Sequence, residues 1–259
     1  MKRLKRYAYE KYAILCQLAY LKDSELIADF GHFEQVEILD RFHKSCVRIV
    51  WQKHKKEVVV VFRGSHNVYD WLFNLCAFKK RYRDQNRKFD IHWGMHNLLK
   101  QPSFVSDSSE KLPLGIRIQN VLIPLMKEGK RVTFTGHSTG GSLAVLFADR
   151  FYQLPNVKVK RVVTFGQPSC GGQLFYRNYS LHHKTYRICC DVDIVTFLPP
   201  LPFIYRHVGK SLWLHEGVMF ENISPSKRLW LSIKSWLLRP ITYHYMQKYI
   251  RNKSLFDER

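Results

Sequence analysis

Apolar residues collect in short, β-branched blocks along the chain: CVRIVW (46–51), EVVVVF (57–62), RVTFT (131–135), KRVVTF (160–165), KTYRICC (184–190) and YRHVG (205–209). Blocks of this length and composition predict strands. Between several of them the apolar positions recur every three to four residues, most clearly over 116–127 and 140–153, and predict helices. Such alternation implies a largely parallel sheet with helices on both faces. The polar turn QKHKKE between the first two blocks reads as a hairpin that adds an antiparallel pair. With no internal repeat, linker or composition shift, residues 1–259 read as a single domain, of a length that suits one large α/β unit.

The first 25 residues, MKRLKRYAYEKYAILCQLAYLKDSE, carry a basic front and a short apolar run, as a signal peptide does. Tyr12, Leu15, Leu18, Ala19 and Lys22 nevertheless fall at helical spacing, Lys11 interrupts the run, and no small-x-small cleavage site follows. The segment therefore predicts an amphipathic first helix, and a cytoplasmic or peripheral-membrane location; export by a route that leaves no N-terminal mark stays open. The uncharged stretch IVTFLPPLPFIY (194–205) is too short and too rich in proline to span a bilayer.

Charge changes this picture more than hydropathy does. Lys and Arg number 42 against 21 Asp and Glu, a formal charge of +21, which calls for an anionic partner such as phospholipid headgroups or nucleic acid. No nucleic-acid motif accompanies the charge, so nucleic acid is not expected. Cys16, Cys46, Cys76, Cys170, Cys189 and Cys190 are scattered through a chain too long to need disulfides, and read as reduced core thiols. Adjacent strand residues such as Cys189 and Cys190 face opposite ways, which argues against a shared metal site. Neither a metal nor a cofactor is expected.

The chemistry concentrates at Gly136-His137-Ser138-Thr139-Gly140. A Gly-x-Ser-x-Gly pentapeptide arises by chance in roughly one chain in ten and is weak alone. Here the block RVTFT precedes it and the helical pattern GGSLAVLFADRFY follows, which is the strand, sharp turn and helix that this chemistry requires. The turn lifts the serine hydroxyl clear of the sheet, and the helix N-terminus aims free N–H groups, Thr139's among them, at an oxyanion formed beside it. The alternative is a glycine-rich turn kept for packing or for phosphate.

Serine attacks near neutral pH only when a histidine takes its proton and a carboxylate fixes that histidine, and in this type of turn the partners follow in the order acid, then histidine. After Ser138 the carboxylates with a strand-end setting are Asp191 and Asp193, with Glu216 and Glu221 as formal alternatives. His207 and His215 sit in or beside strand blocks and read as structural. His244, in PITYHYMQKYI after Pro240, is the favoured base.

Taken together, the first-helix ending LAY and the segments VVVVFRGSHNVYDWLFNL, IHWGMHNLL, FTGHSTGG, VVTFGQPSCG, RICCDVDIVTFLPP, YRHVG and YHYMQKY resemble the class 3 lipases, the fungal triacylglycerol lipase-like branch of the α/β-hydrolases. The resemblance implies an α/β-hydrolase fold and a lipase or phospholipase A type of carboxylic ester hydrolase. It implies Ser138 as nucleophile, Asp193 as acid and His244 as base, with Ser65 of FRGS joining Thr139 in the oxyanion hole. It departs from the family pattern at Asn74, where an aspartate usually supports the oxyanion serine, at Thr139, usually leucine, and at Tyr243, usually acidic.

Two further segments bear on the substrate. Val68, Trp71, Leu72, Leu75 and Phe78 lie at helical spacing; the resemblance implies a lid over 66–78, against the alternative of a core helix. KKRYRDQNRK (79–88) follows as a basic loop beside the supposed mouth. SKRLWLSIKSWLLRP (226–240) interleaves Trp230, Leu231, Ile233, Trp236, Leu237 and Leu238 with Lys227, Arg228, Lys234 and Arg239, a pattern that suits a lipid interface or packing onto the domain. The expected partners are a lipid acyl-ester substrate and an anionic membrane surface. The competing reading is an inactive hydrolase-like basic module that binds membranes or nucleic acid, and its mark would be a broken triad.

Overall fold

The computed structural model describes residues 4–21, 33–65, 79–84, 87–105, 108–200, 204–231 and 242–257. The expected lid over 66–78, Asn74 within it, and Trp236 lie outside the described residues. Helix α1 (Arg6–Leu18) comes first, followed by β1 (Glu34–Leu39), β2 (Ser45–Trp51), β3 (Glu57–Phe62), β4 (Lys79–Asp84), β5 (Arg87–His92), α2 (Trp93–Leu98), β6 (Pro102–Val105) and β7 (Ser108–Pro113). Then come α3 (Leu114–Lys127), β8 (Arg131–His137), α4 (Thr139–Tyr152), β9 (Val159–Phe165), α5 (Gln173–Asn178), β10 (Thr185–Cys190), β11 (Lys210–His215), β12 (Val218–Glu221), α6 (Pro225–Leu231) and α7 (Met246–Arg251).

Ten strands form one sheet in the order β12-β11-β10-β9-β8-β3-β2-β1-β6-β7. Its centre, β3-β8-β9-β10-β11, is parallel, as the strand and helix alternation requires, and antiparallel strands extend it on both sides. The fold is that of the α/β-hydrolases.

Side-chain alternation in β3 shows how the sheet is covered. Val58, Val60 and Phe62 face a core shared with Ile118 and Leu122 of α3 and with Ala144, Phe147 and Phe151 of α4. Val59 and Val61 face the other side, where Tyr9, Tyr12, Ala13 and Cys16 of α1 pack with Met246, Tyr249 and Phe256. Here α1 and the 246–257 segment clasp each other: Tyr9 stacks on Phe256 at 3.9 Å between ring centroids, its hydroxyl donates to the Tyr249 carbonyl at 2.5 Å, and Lys253 pairs with Glu10 at 2.5 Å. The amphipathic first helix is thus part of the core.

Three local expectations need correction. YRHVG is not a strand: Gly209 turns the chain at φ +75° against Thr185, and β11 begins only at Lys210. KKRYRDQNRK is not a loop, because Lys79–Asp84 and Arg87–His92 pair as an antiparallel hairpin apart from the main sheet. Arg228 does not join an exposed polar face, since it is buried while Trp230 on the same helix is 71% exposed. Among the described residues, no helix is long and apolar enough to cross a membrane.

Candidate active site

Ser138 stands between β8 and α4 with φ +56° and ψ −133°, a strained conformation for a residue with a Cβ. Two glycines make the turn physically feasible. A Cβ on Gly136 would come within 2.4 Å of the Gly140 backbone, and one on Gly140 within 2.2 Å of the Phe62 carbonyl oxygen. Strand β8, the first turn of α4 and the end of β3 therefore approach closer than any side chain permits. The Ser138 N–H donates to the Phe165 carbonyl at 2.9 Å, which ties the turn to β9.

The loop after β10 carries Asp193, the carboxylate expected to serve as the acid. Asp193 is fully buried and caps the 3-10 turn Ile194–Phe197, accepting the Val195 N–H at 3.0 Å. Its carboxylate meets His244 Nδ1 at 2.9 and 3.0 Å and accepts a short hydrogen bond from the Tyr249 hydroxyl. Burial alone pushes an acid up, but His244, Tyr249 and the nearby His137 hold the Asp193 carboxyl below its ordinary range. With Nδ1 engaged, His244 Nε2 is buried and has no partner among the described residues. That is the arrangement of an imidazole oriented by a carboxylate and ready to take a proton from a third group.

His137 links this pair to the serine turn. Its Nε2 meets the His244 carbonyl oxygen at 2.7 Å, its Nδ1 meets the Tyr20 hydroxyl at 2.9 Å, and its ring lies 4.4 Å from that of His244. Burial, with His244 beside it, lowers its pKa to about 3 and keeps it neutral. Gly64 completes the layer. A Cβ there would lie 2.4 Å from the Tyr20 hydroxyl, 2.7 Å from the His137 carbonyl and 3.0 Å from Ser138 Cβ, so residues 63–65 run directly beside the Ser138 turn. Ser65 follows, half-buried, and Thr139 Oγ1 is buried with no partner among the described residues.

Of the alternatives left open by the sequence, Asp191 turns away at φ +39° and meets His215 Nδ1 at 3.0 Å, a separate carboxylate and imidazole pair on which Trp213 stacks at 4.3 Å. His207 is half-buried against the Thr196 carbonyl, with Nε2 to oxygen at 3.0 Å. Glu221 pairs with Lys210. Tyr20, His137 and Tyr249 were not singled out for a role. The only trace of Tyr249 in the sequence is its place five residues beyond His244, on the short helix that follows it. Among the described residues no three His, Cys, Asp or Glu side chains gather as a metal site.

The family described as Lipase (class 3) matches residues 59–203. The chain is 27% identical over 175 residues to the secreted mono- and diacylglycerol lipase 1 of Fusarium solani, covering 67% of this chain and 48% of that protein. To the lipase of Rhizomucor miehei it is 28% identical over 174 residues, covering 63% and 43%. The chain thus spans about half the length of the curated relatives it matches. Among solved structures, a triacylglycerol lipase whose catalytic centre is a serine protease triad aligns with a TM-score of 0.61 at 20% identity, over 80% of this chain and 79% of that one. Lipase II from Rhizopus niveus aligns with a TM-score of 0.61 at 18% identity, over 80% of each. At these identities the structural likeness speaks for the fold.

Proposed function

Because the chain belongs to the class 3 lipase family, we propose that it hydrolyses carboxylic esters of lipids through Ser138, His244 and Asp193. The observation that carries this reading is the His244 imidazole, held through Nδ1 by a buried Asp193 while Nε2 has no partner among the described residues, in the same layer as the strained Ser138 turn. His244 Nε2 takes the Ser138 hydroxyl proton as the oxygen attacks the ester carbonyl. The resulting oxyanion is met by the backbone N–H groups of Thr139 and Ser65. Collapse expels the alcohol, which receives the proton from His244, and leaves the acyl group on Ser138. Water then repeats the sequence and releases the acid. Asp193 stays ionised and stabilises the imidazolium in both halves.

The names of the relatives, a mono- and diacylglycerol lipase and lipases of fungi, favour an acylglycerol as substrate over a phospholipid. A lipid interface as the place of action is supported by the solvent-facing Trp230 on α6. The test is a panel of glyceride and phospholipid substrates assayed with wild type and Ser138→Ala, together with labelling by an active-site-directed organophosphonate. Wild type should gain one adduct and hydrolyse glycerides, and Ser138→Ala should do neither. Labelling at another residue with Ser138 left free rejects the mechanism.

A further inference from the structure

We propose that the N-terminal ends of β8, β9 and β10 form a second binding site, for a compact ligand that carries several phosphate groups. A cleft of about 820 Å³ opens there, lined by Arg131, Lys158, Lys160, Arg161, His183 and Lys184 together with Tyr152 and Tyr186, and no carboxylate is among its lining residues.

Two of these cations are already engaged. Lys160 pairs with Glu57 at 3.0 Å, and Lys184 Nζ donates to the Val159 carbonyl at 2.9 Å while lying over the Tyr152 ring. Glu57 itself also serves Lys11, Tyr12 and Thr133; burial pushes its carboxyl up, but Lys11 and these hydrogen bonds outweigh that and bring it down to about 2. Its charge is therefore consumed beneath the cleft. Arg131, Lys158 and Arg161 have no carboxylate within ion-pairing distance among the described residues. Three uncompensated cations in one concavity repel one another, and a multiply charged anion relieves that repulsion.

The location separates this site from ester chemistry. Parallel strands carry Ser138 and the Asp193 loop at their C-terminal ends, whereas the cleft gathers the N-terminal ends. The seven residues of β8 at roughly 3.3 Å each put the two about 23 Å apart. An anion in the cleft does not occupy the acyl-ester site, and the concave shape admits a headgroup-sized ligand rather than a flat bilayer surface. Phosphate clusters occur both on soluble polyphosphates and on phosphorylated inositol headgroups, and the two sources share the chemistry that the cleft recognises.

Calorimetric titration with inorganic tripolyphosphate at 0.15 M salt tests the site, beside co-sedimentation with neutral vesicles that contain or lack phosphatidylinositol bisphosphate. Saturable binding in either arm is the expected result, and which arm responds identifies the source. Reversing two exposed cations, Arg131→Glu with Lys158→Glu, should weaken binding by about tenfold or more. Arg41→Glu with Lys44→Glu, an equal charge change in the β1–β2 turn, should leave it within about twofold. Hydrolysis of a short soluble ester by wild type should not change when tripolyphosphate saturates. No saturable binding in either arm, equal weakening by both double variants, or competition with the ester overturns the proposal. So does a single-stranded oligonucleotide that binds over tenfold tighter than tripolyphosphate through the same two residues. Binding is read without catalysis, so failure here and failure of the hydrolase reading are distinct results.

Discussion

Tyr249→Phe removes one hydroxyl from the most buried part of the candidate active site and leaves the ring in place. That ring packs edge-on to Phe165 at 5.8 Å and to His137 at 6.2 Å, contacts that phenylalanine preserves. The hydroxyl donates to Asp193 Oδ2, and both residues are fully buried, so solvent neither screens the bond nor replaces it. A hydrogen bond to a charged group contributes roughly 1.5–3 kcal/mol, which corresponds to a fall in melting temperature of roughly 3–12 °C for a chain of this size. The sign with pH follows from Asp193: its folded pKa is depressed, so the contribution is present above the unfolded value of about 3.9 and disappears as pH falls through the folded value. Denaturant unfolding at pH 7 in a double-mutant cycle with Asp193→Asn isolates the bond. The hydroxyl deletion should cost about 1.5–3 kcal/mol with the carboxylate present and less than about 1 kcal/mol with the amide. An equal cost in both backgrounds would show that the hydroxyl acts through packing, and the electrostatic account of the buried acid would fall.

Asp193→Asn should lower turnover by about four orders of magnitude because the imidazole loses both tautomer and counter-charge, while Asp191→Asn, which disturbs only the His215 pair, should stay within about tenfold; steady-state kinetics on a soluble ester decide, and reversed effects would move the acid by two residues. His137 is neutral in the fold, with a pKa of about 3 against about 6.5 in the unfolded chain. The unfolded state therefore binds the extra proton, and stability falls as pH drops from about 6.5 toward 3, by up to about 1.4 kcal/mol per unit from this residue. Denaturant midpoints measured across that range should fall less steeply for His137→Asn, and parallel curves would refute the assignment.

The serine turn is legible in sequence because its signals lie side by side: a β-branched strand block, glycines at 136 and 140, and a helix that starts at once, although the neighbour that demands Gly140 is the distant Phe62 carbonyl. The choice between Asp191 and Asp193 is not local. The turn at Asp191, with φ +39°, sends that carboxylate to His215, and Asp193 is the one buried against His244 and Tyr249, both more than 50 residues later. The flanking strands β1, β6 and β7 were missed for a related reason. Glu34–Leu39 is mostly half-buried and Ser108–Pro113 is polar, so neither forms an apolar block, and pairing with β2 and β6 rather than composition makes them strands. YRHVG misled in the opposite sense, since Tyr205 and Val208 are buried without joining the sheet.

The clasp between α1 and the 246–257 segment has a consequence for synthesis. Ribosomes make α1 well before the acceptor for the Tyr9 hydroxyl and the ring that stacks on it, which arrive some 240 residues later. Throughout elongation the apolar side of α1 lacks its last cover, and the carboxylate of Asp193 waits for both His244 and Tyr249. Any stalled or clipped chain that stops before residue 244 therefore retains the strained serine turn but lacks the imidazole that sits against Asp193. A chain cut short of that segment leaves the apolar side of α1 exposed, and such a surface is one that chaperones and proteases recognise.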